Sequence, residues 1–105
     1  MAHPVRDPKR RPTHPGAVLR EIVIPEVTRE HNLTKTAIAE GLGLSRNQFY
    51  SILREAQPVT PETAVKLAAA FGGTARSWLN MQAAYDLWEA EQSVDVGPAR
   101  KLSVA

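Results

Sequence analysis

Thr34-Lys35-Thr36-Ala37-Ile38-Ala39-Glu40-Gly41-Leu42-Gly43-Leu44-Ser45-Arg46-Asn47-Gln48-Phe49-Tyr50-Ser51-Ile52-Leu53 is the stretch that decides the fold. Thr34 is suited to cap a helix by accepting a hydrogen bond from a free amide, and Ala37, Ile38, Leu42 and Leu44 supply its apolar contacts. Ala39 is small enough to let a following helix cross closely. Gly43 takes a positive φ without a β-carbon penalty, which suits a tight turn, while Gly41 weakens the helix before it and marks its fraying end. Ser45 then caps a second helix. Phe49, Ile52 and Leu53 point inward from it, whereas Arg46, Asn47, Tyr50, Ser51 and Arg54 are expected outward. Two short helices joined by a glycine turn make a helix-turn-helix.

Outward from this motif, the reading is all-α. His14-Pro15-Gly16 opens a helix, with proline at a first-turn position, and Val18, Leu19, Ile22 and Val23 follow at helical spacing. Pro25 lacks a donor and its ring clashes with the preceding turn, so this first helix is expected to be short, with Glu26 to His31 forming another turn or a brief helix. Beyond the motif, Pro58 lies in a loop that ends at the cap-and-start pair Thr60-Pro61. The next helix runs to about Phe71 on Ala64, Leu67 and Ala68, and Gly72-Gly73 stops it. Thr74 caps a last helix over about residues 75–90, and the segment after Gly97-Pro98 is expected to be weakly ordered. The sum is a compact five-helix domain over 14–92, a flexible basic arm over 1–13 and a weakly ordered tail over 93–105, with no repeat or second domain.

Size and composition narrow the function. A folded part of about 80 residues buries only roughly 60–65% of its extended surface, so a second copy would add useful burial. The last helix offers a place for one: Trp78, Met81 (or Gln82), Tyr85 and Trp88 form a stripe that serves either the core or a homodimer interface. Cysteine is absent, which removes disulfides and thiolate ligands and fits a reducing compartment. Residues 1–15 carry four prolines and charges but no apolar run. Neither a signal segment nor a membrane span is read, and a cytoplasmic location with no membrane partner is expected. Catalysis lacks a site: His3, His14 and His31 are separated by irregular stretches, and no metal-ligand spacing or glycine-rich phosphate loop is present. No enzyme activity, metal or cofactor is expected.

The formal charge of +2 is too small to argue for nucleic acid, but its distribution is informative. Arg6, Lys9, Arg10, Arg11 and Arg20 face only Asp7 in the first twenty residues, and Asp86, Glu89, Glu91 and Asp95 make the final twenty acidic. DNA recognition needs groups that fix the backbone and groups that read base edges. Thr34, Lys35, Ser45, Gln48 and Arg54 are the phosphate-binding candidates, through cationic heads, caps and helix-start amides. Lys66 is a flanking phosphate candidate or an ordinary surface lysine. Arg46, Asn47, Tyr50 and Ser51 are the base-reading candidates: arginine pairs with guanine O6 and N7, asparagine with adenine N6 and N7, and a tyrosine ring touches a thymine methyl. Arg10 and Arg11 suit a narrow minor groove or, equally, an acidic partner. Two copies would place half-sites about one helical turn, roughly 34 Å, apart.

The chain resembles HigA-type antitoxins of the Xre/Cro-like (lambda-repressor-like) helix-turn-helix superfamily. The resemblance spans about residues 14–88. It is carried by His14-Pro15-Gly16, Val18-Leu19-Arg20-Glu21, Leu33-Thr34-Lys35-Thr36-Ala37-Ile38-Ala39, Leu42-Gly43-Leu44-Ser45-Arg46, Thr60-Pro61-Glu62-Thr63-Ala64 and Trp78-Leu79-Asn80-Met81-Gln82-Ala83-Ala84-Tyr85-Asp86. The two-helix pattern marks the superfamily; the opening His-Pro-Gly and the late Trp-Leu-Asn run mark the antitoxin group. The resemblance implies a homodimer on a palindromic double-stranded operator, autorepression of its own operon, and neutralisation of a HigB-like toxin, a ribosome-dependent mRNA endonuclease. By the same pattern Lys35 is a phosphate position, and Arg46, Asn47 and Ser51 are base-facing. A toxin that binds RNA presents cationic surface, so Glu21, Glu26, Glu30 and Glu40 are docking candidates or ordinary solvated acids. A solo Xre-family repressor without a toxin, and a pure protein-binding scaffold, are the competing readings.

Overall fold

The structure, a computed structural model, describes residues 10–104, so Arg6, Lys9 and His3 lie outside the described residues. Every regular element among the described residues is helical. Helix α1 occupies residues 15–31 in three joined parts: an α-helical Pro15–Val18, a π-helical Leu19–Val23 and an α-helical Ile24–His31. After it come α2 (Lys35–Gly41), α3 (Arg46–Leu53), α4 (Pro61–Phe71), α5 (Ala75–Ser93) and α6 (Gly97–Leu102).

Two sequence expectations are modified here, each for a local reason. The brief helix expected over Glu26 to His31 is present within Ile24–His31, but Pro25 does not separate it from the first helix. The backbone widens into a π turn just before it, with the Ile24 amide donating to the Leu19 carbonyl, which opens the carbonyl ladder where the proline ring would otherwise collide. The helix then runs on to Asn32, whose φ of 53° closes it. Nor is the tail wholly irregular: Asp95 Oδ1 accepts from the Gly97 amide at 2.9 Å and Pro98 occupies the first turn, so residues 97–102 form a sixth helix that buries no side chain. Helix α5 also extends three residues beyond the expected 90. None of the helices among the described residues is long and apolar enough to cross a membrane.

The core forms where α1, α3, α4 and α5 meet, around Leu19, Phe49, Ile52, Ala64, Leu67 and Trp78. The opening tripeptide explains how α1 reaches α3. His14 is the N-cap, its Nδ1 accepting from the Gly16 amide at 2.9 Å, and its ring meets Tyr85 of α5 edge-on at 4.8 Å. Gly16 has no room for a side chain: a β-carbon there would stand 1.9 Å from the Ile52 carbonyl oxygen. By contrast, a β-carbon on Gly41 meets nothing within 4 Å.

These two glycines therefore predict opposite outcomes in denaturant unfolding. Gly16→Ala must push α1 off α3 and should destabilise by about 1–3 kcal/mol or more, as overpacked cores do. Gly41→Ala adds helix propensity in open space and should be neutral or stabilise by up to about 1 kcal/mol.

His14 supplies a pH-dependent counterpart. It is 2% exposed, and burial lowers its pKa below the ordinary histidine value of 6.5. A folded-state pKa below the unfolded one means that the unfolded chain binds more protons, so this stability is present above about pH 6.5 and is lost as pH falls through the folded value. Protonation also removes the acceptor that caps α1. Urea unfolding at about pH 8 and pH 5 should show a steeper loss for the parent than for His14→Asn, which keeps a cap without titrating.

Candidate nucleic-acid interface

The turn between α2 and α3 is built by backbone geometry. Gly43 has φ 69°, its amide donates to the Glu40 carbonyl at 3.0 Å, and the Leu44 amide donates to the Ala39 carbonyl at 3.0 Å. This paired closure satisfies the last carbonyls of α2 and requires the left-handed residue between them. Lys66 of α4 donates to the Gly43 carbonyl at 3.3 Å and pairs with Glu62 at 3.4 Å. Its ammonium therefore braces the turn.

Both helix starts are capped at the expected residues. Thr34 Oγ1 accepts from the Ala37 amide and Ser45 Oγ from the Gln48 amide, each at 3.1 Å. Lys35 is exposed beside the first cap, and Arg46 and Asn47 are exposed on the first turn of α3. Gln48 and Tyr50 are half-buried; the Tyr50 ring leans edge-on against Phe49 at 6.1 Å, which keeps it close to the helix. Arg46, Asn47 and Tyr50 thus share α3 with the exposed cation Arg54 at its end.

Ser51 departs from the outward position expected of it. It is only 6% exposed, and its hydroxyl accepts from Arg54 Nη2 at 3.2 Å. Its carbonyl takes the Ala56 amide at 2.8 Å while the Glu55 amide reaches the Ile52 carbonyl at 2.9 Å. This is a second paired closure, with Glu55 at φ 64° in the left-handed slot. A non-glycine residue there costs roughly 1–2 kcal/mol. The side chain offers a compensation: Arg20 Nη1 contacts Glu55 at 3.2 Å and donates to the Leu53 carbonyl at 2.6 Å. Arg20, counted from sequence as part of a phosphate-facing basic end, instead fastens the end of α3 to α1.

Arg11 is also engaged internally. Its guanidinium lies 4.9 Å above the Tyr85 ring and 6.0 Å from Trp88, donates to the Tyr85 hydroxyl at 2.6 Å and pairs with Glu89. Arg11 is thus strapped onto α5 while its side chain stays more than half exposed, and Arg10 is exposed beside it. Burial raises the Tyr85 pKa above the ordinary tyrosine value.

The stripe on α5 divides. Trp78 is 7% exposed and belongs to the core, its indole nitrogen 3.5 Å from the Gly72 carbonyl. Tyr85 packs on His14, and Trp88 is half-buried near Arg11. Met81 and Ala84 instead line a surface cleft with Pro12, Thr13, Val18 and Ile22. Ile22 is 60% and Leu87 61% exposed, so the open apolar surface is aliphatic rather than aromatic.

Two residues that the sequence reading did not single out as fasteners complete the frame. One is Arg20; the other is Gln82, 4% exposed, whose Oε1 accepts from the Val59 amide at 2.9 Å and whose Nε2 donates to Asp86 at 2.9 Å. A polar residue four after Trp78 and three before Tyr85, on the buried face, is the signal that could have flagged it.

A helix-turn-helix family profile matches residues 28–79. Virulence-associated protein I of Dichelobacter nodosus is 46% identical over 75% of this chain and 69% of its own length. Antitoxin HigA-1 of Vibrio cholerae is 38% identical over 81% of this chain and 76% of its own. Among solved structures, antitoxin GraA superposes with a TM-score of 0.70 at 36% identity, covering 91% of this chain and 97% of that one. GraA in complex with its operator superposes at 0.69 and 35% identity, covering 96% and 95%.

Proposed function

The chain belongs to the HigA-type antitoxin family of Xre/Cro-like helix-turn-helix DNA-binding regulators, and from that membership we propose that it is the antitoxin of a type II toxin–antitoxin pair. In this reading it represses its own operon as a homodimer on a palindromic operator, and neutralises a HigB-like ribosome-dependent mRNA endonuclease. One observation carries the DNA part: the start of α3 presents Arg46 and Asn47 to solvent while Phe49, Ile52 and Leu53 anchor the same helix in the core. That one GraA structure is a complex with its operator supports it further.

Arg46, Asn47 and Tyr50 read base edges. Thr34, Lys35, Ser45, Gln48 and Arg54 hold phosphates, using the helix-start amides left free by the two caps. Ser51 serves by holding the Arg54 guanidinium rather than by touching a base. The second copy packs on the aliphatic face of Ile22, Met81, Ala84 and Leu87, where a small domain gains the burial it lacks. For the toxin, the exposed acids Glu21, Glu26, Glu30 and Glu40 offer complementarity to a cationic RNA-binding surface.

On a duplex selected by the parent protein, Arg46→Ala should lose about tenfold or more in affinity and little on a scrambled duplex, because a bidentate base pair discriminates by roughly 1–3 kcal/mol. Lys35→Ala should weaken both duplexes alike and reduce the salt slope by about one. Equal losses for Arg46→Ala on the two duplexes would remove it from the base-reading set. In sedimentation, Met81→Glu should shift the protein toward monomer, whereas Trp88→Ala should leave the association little changed. Affinity isolation from the native host, with bound protein and DNA identified together, separates an antitoxin from a solo repressor: a toxin must co-purify.

A further inference from the structure

Residues 11–14 lie outside any helix, so side chains must fix their path. Both ends of this segment grip one ring. His14 meets Tyr85 edge-on at 4.8 Å. The Arg11 guanidinium lies 4.9 Å from the centroid of the same ring, donates to its hydroxyl at 2.6 Å and pairs with Glu89 one turn further along α5. Trp88 stands 6.0 Å from the guanidinium, at the outer limit of a cation–π contact, so Tyr85 and Glu89 carry the attachment.

Between these anchors run Pro12 and Thr13. Pro12 is buried although it precedes the first helix, and both residues line the cleft that Val18 and Ile22 of α1 form with Met81 and Ala84 of α5. The cleft thus has a wall that belongs to neither helix. A proline has no amide to donate, so this wall stays where its ends are pinned. None of the lining residues carries a charge, and the exposed Ile22 and Leu87 add to the apolar surface of the same two helices. Such a face suits an identical apolar patch on a second copy better than a charged partner.

We infer that Arg11 is a positioning residue for self-association: by strapping residues 11–14 onto α5, it holds Pro12 and Thr13 as part of the surface on which the second copy packs. This rests on the reading above that the aliphatic face of α1 and α5 is the dimer face. A two-fold contact uses the same patch on both copies, so each dimer contains two straps and any weakening counts twice. The strap has an electrostatic signature that the cleft lacks. The Arg11 and Glu89 side chains are 55% and 42% exposed, so salt screens their pair, whereas burial of aliphatic surface is not weakened by salt. Dimerisation through an uncharged cleft should nonetheless weaken as salt is added, and should lose that dependence when the pair is removed.

The test is sedimentation equilibrium of the full chain at low and high sodium chloride, about 0.05 M and 0.5 M. The parent dimer should weaken about threefold or more at the higher salt. Arg11→Met should raise the dimer Kd about tenfold at low salt, which is about threefold for each of the two straps. Glu89→Gln keeps the ring contact and should raise it about threefold, and both variants should flatten the salt response. Exchanging the charges, Arg11→Glu with Glu89→Arg, should bring the Kd back to within about threefold of the parent and restore the salt dependence; a side chain that only fills space would not be rescued in this way. Urea unfolding at concentrations where the parent is monomeric shows which variants fold, and should Arg11→Met not fold, Glu89→Gln decides. Parent-like dimer strength and salt response in the folded variants overturn the inference. A parent that sediments as a monomer at every concentration, or a dimer untouched by Met81→Glu, overturns the dimer-face reading instead, and this inference with it.

Discussion

The contact on which the rest depends is the near-touch between Gly16 and the Ile52 carbonyl. Helices α1 and α3 cross with no side chain between them at that point, because a β-carbon would lie 1.9 Å from the oxygen. The closeness carries Arg20 to the end of α3 and brings His14 against Tyr85. Without it, α3 would lose its bond from Arg20, and a helix of eight residues is too short to be stable by itself.

Polar fasteners then give that short helix a defined attitude. Ser45 closes its first turn, Arg20 holds its last carbonyl, Lys66 braces the turn before it, and Gln82 takes the amide of the loop after it. Apolar packing is non-directional and tolerates sliding, whereas hydrogen bonds fix a register. The position of the exposed polar edge of α3 follows from the buried side being located in this way.

The cations illustrate why bulk charge was a poor guide. Arg11, Arg20 and Lys66 are drawn into contacts with Glu89, Glu55 and Glu62, and Arg20 and Lys66 also donate to backbone carbonyls. On the two-helix motif itself the exposed cations are Lys35, Arg46 and, at its end, Arg54. The local arrangement, rather than the net charge of +2, decides which cations are tied to internal partners.

Local chemistry made much of this legible from the chain alone. Thr34, Ser45, Thr60 and Thr74 cap where they were read to cap, Gly43 takes its left-handed turn, and the apolar spacing of Phe49, Ile52 and Leu53 gives their inward side, because each depends on neighbours within a turn or so of the backbone. The tertiary structure alone decided that Pro25 is absorbed by a π turn, that Arg11 and Arg20 are fasteners, that Ser51 faces Arg54, that Trp78 is core, and that Gln82 reaches Val59 across 23 residues of chain. Helical periodicity tells which residues share a side, but not which partner that side will meet; the partners come from distant parts of the sequence, and their closeness is set by packing that no local pattern encodes.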